Sequence, residues 1–408
     1  MSQQGPVLIV TAAARPTFAA VLDETKLFPV VTTDWNEAGR AIEQVKPAAI
    51  LAAAEIADFA ALAMLAKRAA ARAPYLPLIA VDPSTTLPDT AMAFFQRKGQ
   101  PDRLIARLNA ALRVRALHAT VMRRLVPPAP IALTDVDPVG EATMLLIGRG
   151  GAYPALSVAL GERAGVVGAL SIEAAAKHLS NRDIDGIVLS EGFTTRVMDA
   201  FLTVLTEDVR FRPLPVIVAS GELTHRYDLP NLEIIAAGPT RIADIALPMI
   251  RQHAFEARLS RMLRAIDAKG LIDARTGLLT KVAFDRDFAT AVYQTAERGG
   301  ALSVAKFSFD SANPRAQFDG ARIISKLMRQ ADFGAVLDDQ SIIVAFAGTD
   351  LRNAQAITRR LASVMRHTNH GRRDTRSEPA VTVTALLSGD SATSLLARLM
   401  QTPERAAS

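Results

Sequence analysis

"DFAALAMLAKRAAARAPYLPLIAV", residues 58–81, changes its hydrophobic period partway along. Residues 58–73 are amphipathic at helical spacing, whereas "LPLIAV" at 76–81 is a short apolar run. Such a run, bounded by proline, is the mark of a strand covered on both faces. A helix feeding a fully buried strand is the repeating unit of a doubly wound α/β domain.

The same unit repeats on either side. "PVLIV" (6–10), "FPVVT" (28–32) and "AAILAA" (48–53) read as buried parallel strands, with the amphipathic "WNEAGRAIEQV" (35–45) between the last two. A Pro- and Asp-rich break, "VPPAPIALTDVDPVGE" (126–141), reads as a linker. The pattern then starts again with "TMLLIG" (143–148), "GVVGAL" (165–170), "DGIVLS" (185–190), "LPVIVA" (214–219) and "LEIIAA" (232–236). The expected fold is therefore α/β, with two tandem doubly wound, flavodoxin-like domains at 1–126 and 141–252.

From 251 the chain carries Phe255, Leu259, Met262, Leu263 and Ile266 at helical spacing, which predicts a linker helix over 253–272. A third domain, 273–400, follows, with strands expected at "LSVAKFSFD" (302–310), "SIIVAFA" (341–347) and "AVTVTALL" (380–387). Helices are expected after 275–284, through 321–331 and at 350–366. The order expected for this α+β sheet is β-α-α-β-β-α-β.

A chain of 408 residues suits roughly two to four domains. Half of the residues are apolar and 22% are charged, a globular rather than a disordered balance. There is no cysteine, which excludes disulfides and thiolate chemistry. Six histidines are scattered; His367 and His370 share a polar loop without an acidic cluster, so no metal site is expected there. The N-terminus lacks a basic n-region, and no run of about 18 apolar residues occurs, so neither a signal peptide nor a membrane span is expected, and the location should be cytoplasmic. The net charge of +6 lies largely on helical stretches such as 102–125 without interleaved aromatics. Solvated helix faces explain that better than nucleic-acid binding.

The third domain resembles the GGDEF (diguanylate cyclase) family. "DARTGLLTKVAF" (273–284) is similar to its opening signature: Asp273, Thr276, Gly277, Leu278, Lys281 and Phe284 fit, while Arg275 and Thr280 depart. With two receiver-like domains ahead of it, the whole chain resembles tandem receiver–GGDEF response regulators of the PleD/PopA type. The resemblance implies a signalling adaptor in cell-cycle control, with regulated proteolysis as one role.

The family's Gly-Gly-Asp/Glu-Glu-Phe turn falls on Asp338, Asp339, Gln340, Ser341 and Ile342. Both glycines are gone, so the backbone no longer approaches nucleotide phosphates unhindered. The family's second metal carboxylate falls on Ser308, with Asp310 at the neighbouring position that does not bind metal. The guanine-binding stretch is shorter here, around "SANPRAQFDG" (311–320), and the closing phosphate-binding Lys-x-x-x-Gly-Arg-Asn is missing. Two-metal phosphoryl transfer needs carboxylates that hold Mg²⁺ on the phosphates. The expectation is a non-enzyme without metal or cofactor, in which Asp338 and Asp339 are solvated turn residues.

The resemblance also carries the family's inhibitory Arg-x-x-Asp onto Arg329-Gln330-Ala331-Asp332, five residues (333–337) ahead of the turn, and a further Arg onto Arg360. An Arg fork can bond guanine O6 and N7, and a carboxylate can accept from guanine N1 and N2. Arg329, Asp332 and Arg360 are thus the expected surface site for cyclic di-GMP as a ligand. An exposed ion pair is the alternative reading of Arg329 and Asp332, which would leave a protein scaffold. An active cyclase with a divergent site is the other alternative.

Receiver chemistry is not expected either. In the first domain the acid pair, phosphorylated Asp, Thr/Ser and Lys fall on Thr11 and Ala12, Ala53, Asp82 and Gln100. In the second they fall on Gly148 and Arg149, Ser190, Ser220 and Gly238. "GRGG" (148–151) is too short for a dinucleotide fingerprint and reads as a strand-to-helix turn. Both domains read as pseudo-receivers serving homodimerisation or the docking of protein partners.

Overall fold

The computed structural model describes residues 5–12, 15–54, 59–97, 100, 102–125, 137–219, 223, 226–298, 301–310, 314–329, 331–366, 368–369, 379–401 and 405–406. Residues 126–136 of the expected linker, Ser220, Gln330, His367 and His370 lie outside them. The chain divides into two compact units, Met1–Leu160 with Ala169–Ile172 and Asp185–Leu259, and Gly161–Gly168 with Glu173–Ile184 and Ser260–Ser408.

The first sheet comprises β1 (Val7–Val10), β2 (Val30–Thr33), β3 (Ala49–Ala53), β4 (Leu78–Val81) and β5 (Ala91–Phe94). Between and after them run α1 (Thr17–Thr25), α2 (Ala38–Val45), α3 (Phe59–Ala70) and α4 (Asp102–Arg124). The strands are parallel in the order β2-β1-β3-β4-β5, the flavodoxin-like doubly wound order. Every residue of β1 and β4 is buried, as helices on both faces require. β5 was not expected: "AMAF" has no β-branched residue, and only its position beside β4 makes it a strand.

The second sheet draws on β6 (Thr143–Ile147), β7 (Gly165–Ala169), β8 (Gly186–Leu189), β9 (Val216–Val218) and β10 (Leu232–Ile234). The helices there are α5 (Tyr153–Gly161), α6 (Ile172–Asn181), α7 (Thr195–Glu207) and α8 (Pro239–Asp267). The sheet order, β10-β9-β8-β6-β7 and a short β14 (Thr368–Asn369), repeats that of the first sheet in its first five strands. The helix expected from 253 starts at Pro239, and Pro248 lies inside it.

In the first unit Phe255 of α8 is fully buried, with its ring 5.8 Å from that of Tyr75 and 5.2 Å from that of His118. Leu259 is buried too, so the first half of the linker-helix stripe is covered by its own chain. The same unit holds a buried ion pair. Arg107 of α4 and Glu233 of β10 are both 0% exposed, and Arg107 Nη2 donates to Glu233 Oε1 at 2.8 Å. Arg107 also donates to the carbonyls of Pro230 (2.7 Å) and Ala93 (3.0 Å). Each charge is thereby hydrogen-bonded, the condition under which burial is tolerated.

The third sheet is antiparallel, in the order β12-β13-β11-β15-β16. Its elements in chain order are α9 (Lys281–Arg298), β11 (Leu302–Ser308), α10 (Pro314–Leu327), β12 (Phe333–Val336), β13 (Ile342–Ala347), α11 (Leu351–Met365), β15 (Ala380–Ala385), α12 (Ala392–Gln401) and β16 (Arg405–Ala406). Helices cover both faces. Ile342, Val344 and Phe346 join Ile323 and Ile324 of α10 and Leu361 of α11 in one core. Ile343 and Ala345 join Phe284 and Phe288 of α9 and Leu395 of α12 in the other. Strand alternation on a sheet buried on both faces explains why β13 reads as an unbroken apolar run. α12, which no expectation covered, closes the second core.

The opening signature has a structural job. Asp273 Oδ1 accepts from the N–H groups of Arg275 (2.9 Å) and Thr276 (2.8 Å) and from Thr276 Oγ1 (2.9 Å). Gly277 sits at φ +77°, where a Cβ would meet Ser325 Oγ at 2.8 Å. The turn delivers Leu278, 1% exposed, into the α10–α11 core.

Candidate functional site

Two ends of β12 decide what the third domain can do. At its far end, β12 and β13 are joined by a hairpin turn in which the N–H of Leu337 donates to the carbonyl of Ser341 at 2.8 Å. Gln340 stands in this turn at φ +62°, a left-handed conformation that glycine adopts without strain. Asp338 and Asp339 are exposed, as the sequence led us to expect.

Asp339 is not merely solvated. Its Oδ1 accepts from the N–H of Ser341 at 3.0 Å and from Ser341 Oγ at 2.5 Å. Its Oδ2 pairs with Lys306 Nζ at 3.0 Å, and Lys306 is only 15% exposed. Partial burial pushes the Asp339 carboxyl up, but the bonds from Ser341 and the Lys306 ammonium outweigh it and hold the group below the usual carboxylate range. Lys306 is two residues before Ser308, on the same face of β11 by strand alternation. A cation therefore stands beside the turn, on the strand face from which the resemblance would call for a metal-binding carboxylate. Lys306 was not among the expected residues, although its spacing from Ser308 was open to reading. Among the described residues no group of three or more His, Cys, Asp or Glu is placed to hold a metal.

At the near end of β12 the residues Arg329 to Asp332 form a turn after α10. The N–H of Asp332 donates to the carbonyl of Arg329 at 3.0 Å. In return the N–H of Arg329 donates to Asp332 Oδ2 at 3.4 Å. This corrects one expectation. Arg329 is at the surface as expected, but Asp332 is not: it is 9% exposed and turned back onto its own backbone. An aspartate past a helix end folds back in this way because the free backbone N–H is its nearest donor.

Burial pushes the Asp332 carboxyl up from the usual range, against the opposing pull of the Arg329 and Ala347 N–H groups and the Arg329 charge. Its Oδ1 is buried and has no hydrogen-bond partner. Arg360, on α11, is exposed. Met328 and, on α11, Ile357 pack against the core cluster that holds Leu361.

The positions that the resemblance would give to a receiver's acid pair are Thr11 and Ala12, and Gly148 and Arg149. Thr11 is buried at the end of β1, and Ala53 ends β3. Asp82, at φ +48°, accepts from the N–H of Gln96 at 2.8 Å and from Gln96 Nε2 at 2.7 Å. In the second domain the Arg149 guanidinium lies over the Phe193 ring at 5.1 Å, and Ser190 is fully buried. The "GRGG" segment leads from β6 into α5, the strand-to-helix turn it was read as.

No protein-family model matches the chain, and no curated protein matches it. Among solved structures the chain is similar to GGDEF domains. That of DgcB from Caulobacter crescentus, in complex with c-di-GMP, is 16% identical over 32% of this chain and 83% of that one, with a TM-score of 0.29. A sensory box/GGDEF family protein from Caulobacter crescentus CB15 is 20% identical over 32% and 93%, with a TM-score of 0.28. The GGDEF domain of FimX from Pseudomonas aeruginosa is 17% identical over 34% and 91%, with a TM-score of 0.29.

Proposed function

We propose that this protein is a non-enzymatic effector of cyclic di-GMP, in which a degenerate GGDEF-like domain reads the ligand and two pseudo-receivers present surfaces to a second copy and to protein partners. The observation that carries the reading is the contrast between the two ends of β12. At the turn, Asp339 is closed onto Ser341 and Lys306. At the other end Arg329 is exposed beside a buried carboxylate with one unpaired oxygen. A buried acceptor without a donor is costly, and a guanine edge offers the N1–H and N2–H donors it lacks once the carboxylate turns outward. Arg329 and Arg360 then supply forks for the phosphates and base edges.

A second reading, a scaffold that binds no nucleotide, is favoured by the bond from the Arg329 N–H to Asp332, which gives the carboxylate a structural use. Isothermal titration of the full chain with cyclic di-GMP separates the two. Saturable binding supports the effector, and its absence leaves the scaffold.

A further inference from the structure

The first domain has a feature that the proposed function does not use. A cleft of about 140 Å³ opens between α1, the end of β5 and the start of α4. Its walls include Phe18, Phe94, Leu104, Gln96 and Arg97. Gln96 is the residue bound to Asp82, so the cleft lies at the carboxyl end of the parallel strands. Open α/β sheets bind ligands in that region.

The charge there is unbalanced. Arg97 Nη2 is buried and has no hydrogen-bond partner. Burial and the Arg103 charge both work against its proton, and the carboxylate that opposes them is Glu233. That carboxylate is already engaged by Arg107 Nη2 at 2.8 Å and Arg103 Nη2 at 3.4 Å. Three guanidinium groups thus share one carboxylate, and one of the three lines a cleft walled on one part by Phe18, Val21, Phe94 and Leu104 and on the other by the polar Gln96 and Gln100. A buried donor of this kind is stabilised by a charged acceptor brought from outside. The volume sets the size: an apolar cavity of about 150 Å³ holds one benzene ring.

We infer that this cleft binds a small organic anion, about one ring in size, with its carboxylate or phosphate head on Arg97 and its apolar body against Phe18, Phe94 and Leu104.

Benzoate, benzyl phosphate and benzamide, each titrated into the full chain by saturation-transfer NMR, test this. Benzoate or benzyl phosphate should bind, which of the two binds tighter identifying the preferred acid head. Benzamide, the same ring without the charge, should bind at least about tenfold more weakly. Arg97→Gln should weaken the acid by a similar factor. Failure of both acids to bind, benzamide binding as tightly as benzoate, or an unchanged affinity in Arg97→Gln would each overturn the assignment. The benzamide comparison needs no variant, so it stands even if Arg97→Gln folds poorly.

Discussion

Lys306 Nζ and Asp339 Oδ2 stand 3.0 Å apart and tie β11 to the turn between β12 and β13. A divalent cation held at Asp339 would have to displace or tolerate this ammonium. Purified protein given GTP and Mg²⁺ should therefore form no cyclic di-GMP by chromatography. Removing the cation in Lys306→Ala should not restore activity, because Ser308 supplies no second carboxylate. Accumulation of product by either protein would refute the non-enzymatic reading.

The same pair sets a titration. Asp339 is held below the usual carboxylate range, so its contribution to stability is present above the unfolded-state value near 3.9 and is lost as pH falls through the lower folded-state value. Lys306→Met should move the Asp339 titration upward, toward the ordinary range, when the side-chain carboxyl is followed by NMR. The Ser341 bonds should keep it from going the whole way. At neutral pH the cost should be under about 1 kcal/mol, because Asp339 is half exposed.

Two turns with left-handed residues should respond in opposite directions. Gly277→Ala should destabilise the third domain by about 1–2 kcal/mol from the backbone alone, with more from the crowding of Ser325. Gln340→Gly should stabilise it by up to about 1 kcal/mol, as relief of the strain at φ +62° outweighs the added entropy of the unfolded chain. Urea unfolding followed by circular dichroism measures both.

The buried pair Arg107–Glu233 should be worth most when broken on one side. Arg107→Met leaves Glu233 buried with only the longer 3.4 Å contact from Arg103 and the Arg97 charge beyond it, and a loss of about 3–5 kcal/mol is expected. Arg107→Met with Glu233→Gln should cost clearly less than the sum of the two single changes. Additive losses in a double-mutant cycle would show that the two residues act separately.

The parallel strands were legible because burial on both faces writes itself as an unbroken apolar run, as in "LLI" of β6 and "LIAV" of β4. β5 was not, since "AMAF" has neither length nor β-branching and becomes a strand only through pairing with β4. The "DARTGL" turn announced itself by Asp273 and Gly277, whose bond and φ are local properties of the chain. The state of Asp332 was out of reach: whether an Asp three residues after an Arg points outward or back onto a free N–H depends on where α10 stops. Lys306 and Asp339 are 33 residues apart in sequence, and only the β11–β13 register brings them together. The Arg97, Arg103 and Glu233 cluster required the first and second sheets together.

In the proposed function, cyclic di-GMP is read by Arg329 and not by the turn. Titration of wild type, Arg329→Ala and Asp338→Ala with cyclic di-GMP, side by side, tests it most directly. Removing a charge-assisted Arg contact should cost about 1.5–3 kcal/mol, or one to two decades of affinity. Asp338→Ala should bind like wild type, because its exposed carboxylate lies at the other end of β12. A wild type that does not bind, or an Asp338→Ala that weakens binding as much as Arg329→Ala, would contradict the account.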